Sequence, residues 1–201
     1  MTLALIDYGA GNLHSVANAL KAAGAQDVAI TADPELVATA DRIVLPGVGA
    51  FGACAAALRG VPGMIDALDQ RVRRDGAPFL GICVGMQLMA EIGEEMGEYD
   101  GLGWIKGRIR RLSPSDPAAK VPHMGWNDVR LLSPHPLIEA GEAYFLHSYA
   151  FEGDDVIATT DHAGPVVAAI ARDNMAGVQF HPEKSQRYGL ELLKRFLTWR
   201  P

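Results

Sequence analysis

A chain of 201 residues, 49% hydrophobic and 21% charged, is long enough to close one substantial core, and residues 1–201 are expected to form a single domain. Its net charge of −6 argues against the basic footprint that a nucleic-acid partner requires. No run approaches the roughly 18 apolar residues of a membrane helix, and Met1-Thr2-Leu3-Ala4 lacks the basic start of a secretory signal, so a cytoplasmic protein with no membrane contact is expected.

In chain order, Leu3-Ala4-Leu5-Ile6 reads as a buried first strand. The glycine-rich turn Asp7–Asn12 leads into a helical pattern with Leu13, Val16, Leu20 and Ala23 on one face, and Gly24 ends it. Gly9 and Gly11 are followed by no third glycine at the required spacing, so a G-x-G-x-x-G dinucleotide loop is not complete. Val28–Thr31 reads as a strand, Pro34–Ala40 as a short helix with proline in its first turn, and Arg42–Leu45 as a third strand. Helical patterns follow over Ala53–Leu58 and Met64–Arg74, then a strand to Cys83 and a helix from Val84 through Ile92. Residues 93–107 are irregular, and Ser113–Ala119 has the composition of a loop.

The second half changes character. Ile109–Leu112, Asn127–Leu132, Ala143–Leu146, Val156–Thr160, Val166–Arg172 and Met175–Phe180 read as strands with few helices between them, which implies antiparallel additions to the sheet. A closing helix over Gln186–Trp199 puts Tyr188, Leu192, Leu193, Phe196 and Leu197 on one stripe. The expected fold class is α/β, with a central mixed, mostly parallel sheet flanked by helices and further antiparallel strands in the C-terminal half.

Three places carry candidate chemistry. Gly81-Ile82-Cys83-Val84-Gly85 has the spacing of a nucleophile elbow, in which side chains at the glycine positions would collide with nearby backbone. A helix starting at Val84 would direct free N–H groups at Cys83 and favour its thiolate; alternatively, Cys83 is a small buried hydrophobe. Gly47-Val48-Gly49, in a loop after a parallel strand, either directs the Val48 N–H at a ligand oxygen or is a plain turn. At the end of the last strand, Pro182 holds His181 out of helical geometry, and in an extended segment His181 and Glu183 project to one side, the pairing a cysteine nucleophile needs.

The remaining polar candidates read as structural. Cys54 lies among alanines and belongs to a helix core or surface, and with neither cysteine in a CxxC pair, no disulfide framework, metal site or cofactor is expected. His14, His135 and His162 are expected to be solvated, and His123 and His147 to be hydrogen-bonded structural histidines.

Read together, Asp7–Asn12, Leu45–Phe51, Gly81–Gln87, Pro122–Asn127, Phe145–Tyr149 and Phe180–Ser185 resemble the class I, triad-type glutamine amidotransferases. Among these, the strings are most similar to the glutaminase subunits of imidazole glycerol phosphate synthases, in order and nearly end to end. The resemblance implies Cys83 as nucleophile, His181 as general base and acid, and Glu183 as its orienting carboxylate. L-glutamine is the implied substrate, with Gly47, Val48, Gly49 and Val84 forming the oxyanion site and Gly49, Gln87, Ser148 and Tyr149 holding the substrate. The implied partner is a cyclase subunit with a (β/α)₈ barrel, receiving ammonia through a channel in a heterodimer and docking on Asn12, Met124, Trp126 and Lys184. It also implies a glutaminase nearly silent until the cyclase holds its ligand, with a peptide flip at Val48 as the switch. Two rivals stay open: a glutaminase subunit serving another synthase, and a non-catalytic binding module of the same fold.

Overall fold

The computed structural model describes residues 1–201. Strands and helices alternate through the first half: β1 (Thr2–Ile6), α1 (Leu13–Ala22), β2 (Asp27–Thr31), α2 (Pro34–Thr39), β3 (Arg42–Gly47), α3 (Phe51–Gly60), α4 (Met64–Leu68), β4 (Phe79–Cys83) and α5 (Val84–Gln87). Helix α4 runs on through Asp69–Arg74 as π-helical turns. The second half contributes β5 (Ile92–Gly93), β6 (Tyr99–Asp100), β7 (Gly107–Arg111), β8 (His123–Leu131), β9 (Gly141–His147), β10 (Tyr149–Gly153), β11 (Val156–Asp161), β12 (Pro165–Arg172) and β13 (Met175–Val178). A 3₁₀ turn, Pro182–Lys184, precedes α6 (Gln186–Thr198).

The main sheet has nine strands in the order β2-β1-β3-β4-β13-β12-β11-β8-β9. Pairing is parallel from β2 to β13 and antiparallel from β13 to β9. The parallel strands β1, β3 and β4 are almost wholly apolar because helices cover both faces of such a sheet. The helices supply the matching stripes. Asn12 caps α1, which buries Val16, Ala17, Ala19 and Leu20, and α6 buries Leu192, Leu193 and Phe196 completely. Each large side chain so buried contributes about 1.5–3 kcal/mol, and truncating Phe196 to alanine would cost about 3–5 kcal/mol. Tyr188 lies only half-buried on this stripe, its ring 5.7 Å from Phe180. Fifty-five buried residues drawn from both halves of the chain form one continuous cluster. No single helix is long and apolar enough to cross a membrane.

Three expectations need correction. The helix after Cys83 ends at Gln87 rather than Ile92, because the amides of Leu102, Gly103, Trp104 and Ile105 return from a distant loop to the carbonyls of Leu88, Ala90 and Met89. Residues that would have extended the helix are thereby claimed from outside, and Ile92–Gly93 pairs as a strand instead. Strand β7, expected to extend the main sheet, belongs to a separate four-stranded sheet in the order β10-β7-β5-β6. The last strand stops at Val178 rather than Phe180: the Gln179 N–H turns to Ala168 and the His181 N–H crosses to the Tyr144 carbonyl of β9, 2.9 Å away.

Candidate active site

The ends of β3, β4 and β13 lie side by side, with Gly47 in register with Cys83 and Val178 with Ile82. The chain turns at Cys83 with φ 54° and ψ −113°, a conformation that costs a non-glycine residue on the order of 1–3 kcal/mol and is held by its surroundings. Backbone packing does the holding. A Cβ on Gly81 would sit 2.7 Å from the Gly85 carbonyl oxygen and the Met86 nitrogen, and one on Gly85 would overlap the Leu45 carbonyl. A Cβ on Gly47 would come within 2.7 Å of the Tyr8 hydroxyl and 2.8 Å of the Gly85 nitrogen. Three glycines therefore let β3, β4 and α5 touch backbone to backbone, which fixes where the sulfur points.

Cys83 opens into a cavity of about 220 Å³ lined by Val48, Gly49, Val84, Gln87, Ser148, Tyr149, His181 and Lys184, together with Glu95, Leu146 and His147. The site candidates from four separate stretches of sequence thus line one cavity. Gly47 lies behind this lining, packed on Tyr8. His181 and the side chain of Glu183 are both buried, and the His181 Nδ1 lies 2.8 Å from the Glu183 Oε1. The route differs from the extended segment expected: Pro182–Lys184 is a 3₁₀ turn, and that turn folds the carboxylate back onto the ring. Ser185 braces it, donating to the His181 carbonyl at 2.7 Å and accepting from the Tyr144 N–H at 2.9 Å. Burial alone would lower the His181 pKa, but the Cys83 sulfur and the Glu183 carboxylate on either side outweigh it and push the imidazole up to about 10.

Val84 begins α5, where backbone N–H groups have no partner inside the helix. Across the cavity, Gly49 has φ 112°, a backbone state open mainly to glycine, and the exposed Val48 accepts a hydrogen bond at its carbonyl from the Cys54 thiol at 3.5 Å. Cys54 itself is buried in α3, and burial raises its pKa. Gln87 donates both hydrogens of its amide, to the Tyr149 carbonyl at 2.9 Å and to the Gln179 Oε1 at 3.0 Å, so only its oxygen is left for a ligand.

Sequence reasoning passed over two residues here. Gln179, fully buried, points its Nε2 at the Cys83 sulfur from 3.7 Å, and Glu95 enters from the loop between β5 and β6, where it accepts the Phe51 N–H at 2.7 Å. Gln179 was legible as a polar residue in an otherwise apolar strand end; Glu95, in an irregular stretch, gave no signal. Of the expected docking residues, Met124, Trp126 and Lys184 are exposed, and two of them flank Tyr144: the Trp126 ring lies 6.2 Å from that of Tyr144, and the Lys184 Nζ stands 5.9 Å from the same ring, while Met124 is in register with Leu146. Asn12 is exposed too, but its side chain accepts from the Ser15 N–H as the cap of α1 and is not hydrogen-bonded to that group.

The histidines sort differently from expectation in two cases. His14 is exposed, and His123 and His147 are buried and hydrogen-bonded as expected. His162, expected in solvent, stacks 4.3 Å from His123 and bonds the Lys120 carbonyl at 2.7 Å, while His135 packs against Trp199 and has its pKa lowered by burial.

The family model for class-I glutamine amidotransferases matches residues 4–199. A protein named imidazole glycerol phosphate synthase subunit HisH from Zymomonas mobilis is 61% identical over 206 residues, covering 100% of this chain and 97% of that one. A protein of the same name from Caulobacter vibrioides is 51% identical over 212 residues, covering 100% and 99%. Among solved structures, one described as a glutamine amidotransferase superposes with a TM-score of 0.75 at 18% identity over 98% of both chains. The structure of PurLQS from Thermotoga maritima gives 0.73 at 17% identity over 98% of this chain and 97% of the other. At such identities the two structures speak to the fold.

Proposed function

The chain belongs to the class-I glutamine amidotransferase family, and from that premise we propose how it works: as the glutaminase subunit of an imidazole glycerol phosphate synthase, it splits the side-chain amide of glutamine at Cys83. One observation carries the reading. A cysteine held on a strained turn shares a cavity with a buried histidine whose far nitrogen is bonded to a buried carboxylate.

The Cys83 sulfur, as thiolate, attacks the amide carbon of glutamine and forms a C–S bond. The carbonyl oxygen takes up the negative charge and is received by the Val84 N–H at the start of α5 and an N–H of the Gly47-Val48-Gly49 loop; losing one such donor costs on the order of 3 kcal/mol. The tetrahedral intermediate collapses as the C–N bond breaks, and imidazolium His181 gives its proton to the nitrogen so that ammonia leaves. Neutral His181 then takes a proton from water, whose oxygen displaces the sulfur and yields glutamate. Glu183 keeps the ring turned toward Cys83 and stabilises its charged form. Gln179 lends an N–H to the sulfur, and Gly49, Gln87, Ser148 and Tyr149 hold the amino-acid end of glutamine.

Ammonia entering bulk water near neutral pH would protonate and lose its lone pair, so it passes to a cyclase subunit with a (β/α)₈ barrel. Met124, Trp126 and Lys184 form the docking face, the last two beside Tyr144, with Asn12 at the head of α1. Residues 1–201 act as one amidotransferase domain, a reading supported by the single core cluster that joins both halves. The Val48 loop is the switch: in its present form the Val48 carbonyl is held by Cys54, and glycines on both sides permit its peptide to turn.

The test uses the chain together with its cyclase partner. An electrophilic glutamine analogue should label Cys83 alone, as seen by peptide mass spectrometry, and Cys83→Ala should lower glutamate release by about 10⁴-fold or more. Labelling of Cys54 in place of Cys83, or glutamate release surviving the substitution, would refute the reading.

A further inference from the structure

His123 and His147 face each other in register across β8 and β9, with the His123 Nδ1 3.1 Å from the His147 Nε2. Each ring has a second partner: the His123 Nε2 lies 3.1 Å from the Asn127 Nδ2, and the His147 Nδ1 lies 2.9 Å from the Tyr149 carbonyl. Both rings are buried, and burial, together with the neighbouring imidazoles, lowers their pKa values to about 4 and about 3, so each carries one proton at neutral pH.

Which nitrogen holds that proton follows from the two ends. Asn127 cannot be turned round, because its Nδ2 also donates to the Asp161 carbonyl at 2.7 Å and its Oδ1 accepts the Asp128 N–H at 2.8 Å. It therefore donates to the His123 Nε2, which leaves the His123 proton on Nδ1 and makes the His147 Nε2 an acceptor. The His147 proton is then on Nδ1, where a carbonyl waits for it. Starting from the Tyr149 carbonyl, which can only accept, the same assignment results. The hydrogen bonds run one way from Asn127 to Tyr149, and either end alone would impose that direction.

At the Tyr149 carbonyl this chain meets Gln87, which donates to the same oxygen and leads through Gln179 to the Cys83 sulfur. Both lone pairs of one carbonyl are thus occupied, and the backbone at Ser148 and Tyr149, a wall of the Cys83 cavity, is held from behind. Residues of β8 alternate in exposure as a strand dictates: His123 is buried, while Met124 and Trp126 are exposed.

We propose that His123 and His147 are positioning residues for the substrate wall of the Cys83 cavity, a directed hydrogen-bond chain from Asn127 setting the Tyr149 carbonyl and with it the Ser148–Tyr149 backbone that receives glutamine. The proposal rests on the reading of that cavity as a glutamine site. Neither histidine is hydrogen-bonded to Cys83, His181 or Glu183, although His147 also borders the cavity. Their effect falls on binding, and β8, which carries His123, bears Met124 and Trp126 on its outer face.

Two measurements test it. In ¹⁵N spectra of the full chain labelled at histidine, near pH 7, both His123 and His147 should carry hydrogen on Nδ1 and none on Nε2; an Nε2–H form at either ring overturns the chain's direction, whatever the protein's activity. In the complex with the cyclase, His123→Phe keeps the ring stacked between Phe145 and His162 but removes both hydrogen bonds. It should raise KM for glutamine about tenfold or more while kcat falls less than about threefold, and His123→Gln, which restores a donor and an acceptor, should recover much of the loss. A folded His123→Phe protein with unchanged KM, beside an active wild type, overturns the proposal alone. A wild-type complex that releases no glutamate overturns the glutamine reading and the proposal with it. If His123→Phe does not fold, Asn127→Leu serves in its place, and the spectra of the wild type decide the direction independently.

Discussion

Two groups of buried histidine lie within one small part of this molecule and behave oppositely. His181 is pushed up to about 10, and His123 and His147 are pulled down to about 4 and about 3. Burial cannot be the cause of the difference, since all three rings are less than a tenth exposed and burial acts in the same direction on each. Company decides it. His181 has the Glu183 carboxylate on one side and the Cys83 sulfur on the other, whereas His123 and His147 have no carboxylate or thiol beside them: their neighbours are each other, His162, an amide and a carbonyl, with His181 adding a further lowering influence on His147. Near neutral pH one ring keeps its second proton, and the other two stay neutral.

The largest test of this contrast is Glu183→Gln. Removing the carboxylate while keeping its size should let burial prevail and drop the His181 midpoint well below 10, which titration of the ring by NMR would read. Glutamate release should fall about 10³-fold or more, as happens when the orienting acid of a triad loses its charge. A midpoint still near 10 would place the cause in Cys83 alone.

Next in size is the dependence of stability on pH. For His123 and His147 the folded value lies below the ordinary 6.5, so protons favour the unfolded chain. Their contribution is intact above about pH 6.5 and is lost as the pH falls toward 4 and 3, amounting at pH 5 to about 2 kcal/mol for each ring. His181 has the reverse sign: its contribution is complete below about 6.5 and disappears as the pH rises through about 10. Urea unfolding across pH 4 to 10 should therefore give acid and alkaline limbs of separate origin. His123→Phe should flatten only the acid limb and Cys83→Ala only the alkaline one.

The smallest effect concerns the other face of β8. Trp126→Ala removes a ring that is 47% exposed, so the unfolding free energy of the isolated chain should stay within about 0.5 kcal/mol. Affinity for the cyclase, measured by calorimetry, should fall with that variant and with Lys184→Glu. Unchanged affinity in both would remove this face from the docking surface.

How much of this was legible in the sequence depended on how local the cause was. The parallel half announced itself, since its strands are short apolar runs that end in glycine-marked turns, and Gly81, Cys83 and Gly85 stated the elbow directly. The length of α5 was not legible, because the amides that end it arrive from residues 102–105. Strands β5 and β6 have two residues each and too little pattern to read. The histidines at 123 and 147 were expected to be hydrogen-bonded, yet their pairing exists only through the register of β8 on β9. Glu183 was expected beside His181 for a partly mistaken reason, and the 3₁₀ turn achieves what an extended segment was expected to do.

The contact of Gly85 against Leu45 and of Gly81 against the start of α5 leaves no atom-sized slack beneath the sulfur. Anyone wishing to redesign this scaffold for a longer or bulkier ligand would find that floor closed to change, since even a methyl group there would displace the Cys83 sulfur. Adaptation has to come from the opposite bank, at residues 146–149, where hydrogen bonds from Gln87 and His147 rather than direct backbone packing set the spacing.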